Sequence, residues 1–105
     1  MGITVTVLYP NTRGSRFDLD YYLKTHIPLV ETSWSGKGLT STKLLKGAGT
    51  PDPSTPAPYQ VIAILGFDSL AAFQAAAKES GAAVMGDIPN FTDVTPVIQI
   101  NEDLD

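Results

Sequence analysis

Apolar and polar residues alternate along "ITVTVLY" (3–9), the period of a β-strand with one buried face, and Pro10 and Asn11 close the run. The period then changes. Leu19, Tyr22, Leu23, Ile27, Val30 and Trp34 fall on one stripe of a helical wheel with His26 near its centre; Asp20, Lys24, Thr25, Glu31 and Ser35 lie opposite. Asp18 is placed to cap this helix, which runs from Leu19 towards Trp34, and "SGKG" to stop it. "LTSTKLLK" (39–46) alternates again and predicts a second strand, whereas the Gly- and Pro-rich "GAGTPDPSTPAP" (47–58) predicts a loop. "YQVIAILGF" (59–67) predicts a strand that is apolar on both faces from Val61 to Leu65. An alanine-rich helix follows, capped by Asp68 or Ser69 and stopping near Gly81. "AAVMGDIPNF" (82–91) reads as a helical turn and a loop, and "VTPVIQI" (94–100) as the last strand.

The order βαββαβ predicts an α+β, ferredoxin-like fold over a single domain, 1–105, with an antiparallel sheet and both helices on one face. That fold puts the first and third strands in the centre. They are the most apolar two, and Lys43, Lys46 and Pro96 fall at the edges. Period two then assigns Ile3, Val5, Val7, Tyr9, Tyr59, Val61, Ala63, Leu65, Val94, Ile98 and Ile100 to the face under the helices. Leu8, Leu44, Ile62, Ile64 and Val97, interleaved with threonines, fall on the other face. One protomer has no third layer to cover them, so a homodimer through the sheet face is expected; a solvated, threonine-rich sheet is the alternative.

Composition narrows the functions open to such a domain. The 105 residues are 43% hydrophobic and contain no cysteine, which removes disulfides, thiolate nucleophiles and sulfur-ligated metals. A net charge of −4 and an isoelectric point near 4.7 argue against nucleic acid or an anionic membrane as partner. No apolar run is long enough to span a membrane or to read as a signal peptide, so a cytoplasmic location is expected.

The candidate chemistry centres on "FDLDYYLKTHIPLV" (17–30), which holds the only histidine. Pro28 removes the amide that would bond the Lys24 carbonyl, so the helix is expected to kink there. His26 and Tyr22, one turn apart on the sheet-facing stripe, are candidate catalytic residues. Burial lowers an imidazole pKa and leaves it a base at neutral pH. A core histidine satisfied by the Tyr22 hydroxyl or by a carbonyl is the alternative. Topology gathers "YPNTRGSRF", the 47–58 loop and "GDIPNFTD" at the end of the sheet where this helix begins. Tyr9, Asn11, Asp87, Asn90 and Thr92 are therefore candidate substrate-binding residues, although Pro89-Asn90 is also ordinary turn chemistry. One histidine and no cysteine make a metal site implausible. Gly47-x-Gly49 leads into a loop rather than a helix, and no Walker sequence or Gly-x-Ser-x-Gly elbow occurs.

Phe17, Tyr21, Tyr22, His26, Pro28 and Leu29 give F-x3-Y-Y-x3-H-x-P-L, which resembles the EthD family, associated with ethyl tert-butyl ether degradation. "GDIPNFTDVTPVIQI" resembles that family's closing segment, and "LYPN" and "FDSLAAFQAA" its opening and second helix. The resemblance implies a dimeric α+β barrel, two ferredoxin-like protomers joined through their sheets. Related barrels include muconolactone-type isomerases, fungal tailoring enzymes acting on polyketides, and cofactor-free monooxygenases. By similarity His26 and Tyr22 form an acid/base pair for an isomerase, decarboxylase or oxygenase-like reaction, without a cofactor, on a small hydrophobic, oxygenated ligand. A non-catalytic accessory protein that holds such a metabolite is the alternative. The second histidine of some related isomerases is missing, so a Tyr or Asp must partner His26.

Overall fold

The computed structural model describes residues 2–104. Strand β1 (Ile3–Pro10) lies in the centre of a four-stranded sheet beside β3 (Tyr59–Phe67), with β2 (Leu39–Lys46) and β4 (Val97–Glu102) at the edges. All three pairings are antiparallel, as the ferredoxin-like order requires. The helices α1 (19–34) and α2 (Leu70–Gly86) cover one face. From the sheet, Ile3, Val5, Ala63, Leu65 and Phe67 meet Val30 and Trp34 of α1 and Ala76 and Val84 of α2 in one buried cluster. The Trp34 Nε1–H donates to the Ala76 carbonyl at 3.0 Å, tying helix to helix with no polar atom wasted.

Four details of these elements differ from the sequence pattern. The disturbance in α1 comes before Pro28. Leu19–Tyr21 is α-helical, Tyr22–His26 forms a π-helical turn, and Ile27–Trp34 resumes the α-helix. The Ile27 amide reaches back five residues to the Tyr22 carbonyl, and the wider turn accommodates a proline that donates nothing to Lys24. Tyr22 and His26 stay buried, while Leu23, assigned to the same stripe, is turned outward and 51% exposed.

Helix α2 runs through Gly81 and ends only at Gly86. Gly81 has no positive φ, so nothing forces the chain out of the helix there. Strand β2 carries a bulge between Leu39 and Ser41, opposite Gly66, where an added side chain would collide with Ser41 Oγ. The extra residue reverses the phase of the strand. Leu44 consequently packs under the helices, and Leu45 faces outward in its place. β4 begins three residues later than expected, at Val97, with Val94 packed against the core and Thr95 exposed before it.

On the uncovered face, the registers set Leu45, Ile62, Leu8 and Val97 side by side across all four strands. The next row is Lys43, Ile64, Thr6 and Gln99. Polar groups further along bond one another. Thr4 Oγ1 donates to Asp103 Oδ1 at 2.6 Å, and the Asn101 amide donates to the Thr4 carbonyl at 2.8 Å. The apolar row lies at the end of the sheet where Tyr9 sits.

Candidate functional site

The segment after α2 is what brings the site together. Asp87 ends the helix, Ile88–Asn90 makes one 3-10 turn, and the chain then crosses to the start of α1. The Asp18 amide donates to the Phe91 carbonyl at 2.7 Å, and Thr92 Oγ1 donates to the Arg16 carbonyl at 2.6 Å. The Arg16 guanidinium donates to the Pro89 carbonyl at 3.0 Å. So "RFDLDYY" and "GDIPNFTD", far apart in sequence, dock edge to edge.

This docking places the Asp87 carboxylate behind the histidine. His26 Nδ1 lies 2.9 Å from Asp87 Oδ2, while Asp87 Oδ1 accepts from the Tyr21 hydroxyl at 2.7 Å and from the Asn90 amide at 2.9 Å. Burial pushes the Asp87 carboxyl up, but the hydrogen bonds from Tyr21, Asn90 and His26 outweigh it and hold it below its ordinary value. An ionised carboxylate only accepts, so Nδ1 carries the proton and Nε2 bears the lone pair. Burial lowers the His26 pKa more strongly than Asp87 raises it, which keeps the ring neutral near pH 7. The result is an oriented imidazole base.

In front of the ring lies a cavity of about 240 Å³ between the sheet and the two helices. Its walls are almost wholly apolar, and among the described residues His26, Tyr9 and Tyr22 are the titratable ones that line it. Tyr22 stacks on His26, ring centroids 5.7 Å apart and planes inclined by 18°. The Tyr22 hydroxyl is buried without a hydrogen-bond partner among the described residues. Burial raises the pKa of both phenols, and Tyr22 adds to the rise at Tyr9, so both remain protonated donors. Small residues on α2 keep the cavity open, since Ala77 and Gly81, one turn apart, line it where larger side chains would fill it. Met85 and Ile98 line it too and are 45% and 42% exposed, so the cavity opens between the end of α2 and edge strand β4.

Of the residues singled out from sequence, Tyr9, Tyr22 and His26 thus line the cavity, and Asp87 and Asn90 stand behind the imidazole rather than at a pocket mouth. Asn11 and Thr92 do not reach it. The exposed Asn11 amide donates to the Ala57 carbonyl at 2.9 Å, and the buried Thr92 hydroxyl is committed to Arg16 and to the Val94 amide. Sequence reasoning missed two members. Tyr21 holds Asp87, and Phe91, fully buried, touches the rings of Tyr9, Phe17, Tyr21, Tyr22 and His26, its centroid 4.6 Å from that of His26. Both lie inside the quoted motifs; only their contacts across the fold distinguish them. Among the described residues no three His, Cys, Asp or Glu side chains cluster as metal ligands would, and no helix is long and apolar enough to cross a membrane.

No curated protein matches the chain. An EthD-like protein from Ralstonia eutropha JMP134 is 36% identical over 99% of this chain and 93% of its own, with a TM-score of 0.92. An ethyl tert-butyl ether degradation (EthD) family protein from Bacillus halodurans C-125 is 21% identical, covering 99% of this chain and all of its own (100%), with a TM-score of 0.77. SnoaB, a cofactor-independent oxygenase from Streptomyces nogalater, shares the fold at 10% identity and a TM-score of 0.65, over 99% of this chain and 93% of its own. The EthD domain profile matches residues 15–95, which include the whole His26–Asp87–Tyr21 arrangement, and the chain belongs to the EthD family.

Proposed function

We propose that this chain catalyses proton transfer on a small, apolar, oxygen-bearing metabolite, with His26 as the base and no cofactor. The observation that carries this reading is the Asp87–His26 pair at the wall of an apolar cavity, its Nε2 free of any hydrogen bond among the described residues. Nε2 takes a proton from the carbon next to a carbonyl. The electron pair moves onto the carbonyl oxygen, and the Tyr22 hydroxyl donates to the oxygen as it becomes an enolate. The imidazolium, held by Asp87, then returns the proton to the same or a conjugated carbon. Positioned general bases contribute about 10²–10⁴-fold. The test is deuterium uptake from D2O into lactones and enolisable ketones, 2-tetralone among them, by wild type and His26→Gln. Exchange that depends on His26 supports the assignment, and equal exchange by both proteins refutes it.

The almost wholly apolar wall also favours a second reading, a non-catalytic carrier in which His26 only donates or accepts a hydrogen bond. It requires ligand retention with no exchange above the buffer rate. In either case we propose a homodimer formed through the row Leu45, Ile62, Leu8 and Val97, whose outer members Leu45 and Val97 are 39% and 50% exposed.

A further inference from the structure

The cavity presents no cation to an anion. None of the chain's 7 lysines and arginines lines it. The nearest formal charge among its wall contacts is negative, the Asp87 carboxylate 2.9 Å behind His26. His26 itself is neutral in this setting, and were it protonated, Asp87 would already neutralise it. The two phenols offer hydrogen bonds but no charge. A carboxylate or phosphate entering here would lose its water, meet no cation and approach Asp87.

Two further features describe what does fit. The Tyr22 ring lines the cavity, and its hydroxyl, buried and without a hydrogen-bond partner among the described residues, lacks an acceptor that a single ligand oxygen would provide. A cavity of about 150 Å³ in another protein takes one benzene ring, so the 240 Å³ present here accommodates about two fused rings. Resting on the proton-transfer reading above, we propose that the substrate is an uncharged ketone, lactone or enol of one or two rings, and that the site discriminates against the corresponding carboxylates.

The chain has a single tryptophan, Trp34, and it lines the cavity, so its fluorescence reports occupancy directly. The experiment titrates wild type at pH 7 with 2-tetralone and, separately, with 1,2,3,4-tetrahydro-2-naphthoate, which presents a similar ring system with a carboxylate. The neutral ketone is expected to bind roughly 100-fold tighter, the scale of desolvating an unpaired charge. Tyr22→Phe should weaken 2-tetralone by about three- to tenfold, the value of one neutral hydrogen bond. Equal or tighter binding of the carboxylate overturns the proposal. If His26-dependent exchange into 2-tetralone persists in that case, the proton-transfer reading survives it. Failure of both compounds to perturb Trp34 overturns the proposal, and absence of exchange alongside it removes the proton-transfer reading as well.

Discussion

His26 and Asp87 lie 61 positions apart in the chain and meet at 2.9 Å, nitrogen to carboxylate, because the turn after α2 docks against the start of α1. The pairing fixes which ring nitrogen is basic. Asp87→Asn tests that without changing shape. An amide that donates to Nδ1 forces the proton onto Nε2, the nitrogen that must be bare. Deuterium exchange should fall on the order of 100-fold, while Trp34-reported ligand affinity changes little. Equal losses in both would mean that Asp87 shapes the cavity rather than the base.

The two neighbouring tyrosines should behave oppositely. Tyr21→Phe removes the hydrogen bond that holds Asp87 Oδ1, so it should lower the melting temperature and slow exchange. Tyr22→Phe removes a buried hydroxyl with no partner among the described residues and should leave stability unchanged or raise it by up to about 1–3 kcal/mol. Thermal melts of the two variants decide this. A large destabilisation by Tyr22→Phe would show that its hydroxyl is satisfied in solution.

Stability should depend on pH at both ends. The folded pKa of His26 lies below 6.5, so the unfolded chain binds more protons as pH falls from 6.5 towards the folded value, and stability is lost across that window. Asp87, also lowered, extends the loss as pH falls below 3.8 towards its folded value. Tyr9 and Tyr22 are raised above 10.0, so the unfolded chain ionises first in alkali and stability falls again above pH 10.0. Urea unfolding from about pH 2.5 to 11 should trace a plateau between, and His26→Gln should remove the loss that begins at 6.5.

The cavity is held open by absent side chains, which is testable by supplying one. A Cβ at Gly81 meets only Ala77 Cβ, at 3.8 Å, and the backbone there is helical. Gly81→Leu should therefore stabilise the helix by up to about 1 kcal/mol and push a branched side chain into the ligand's space. Melting temperature should rise as 2-tetralone binding disappears. Retained binding would place the ligand elsewhere.

What the sequence made legible follows from period and topology. Alternation identified four strands and their centre-to-edge order, because burial on one or both faces leaves that mark. The helical stripe brought His26 and Tyr22 to the sheet, and the crossing rules brought "GDIPNFTD" to the same end. That a Tyr or Asp must partner His26 was legible, but which one was not. Whether Asp87 faces the ring or solvent depends on where α2 ends, and α2 continues five residues past the glycine that was expected to stop it. The π-helical turn and the β2 bulge each change a residue's phase without altering any residue type. Leu23 and the exchange of Leu44 for Leu45 follow from that.

The uncovered sheet face gives the last prediction. Leu45, Ile62, Leu8 and Val97 form an apolar row that neither helix can reach, and polar groups further along the same face bond one another through Thr4, Asn101 and Asp103. Pairing two such faces removes apolar area at about 25 cal/mol per Å² and leaves few polar groups unsatisfied. Association costs roughly 4–15 kcal/mol, so the interface must be of ordinary size or larger, about 1,200–2,000 Å² in total. A two-fold axis through the sheet sets each row against its copy. Ile62→Asp with Ile64→Asp places a buried, unpaired carboxylate in two of the central positions and should yield monomers or unfolded chains. Light scattering on wild type at micromolar concentration is the deciding measurement. Twice the chain mass of 11.2 kDa is expected, and a stable folded monomer would rule the paired sheet out.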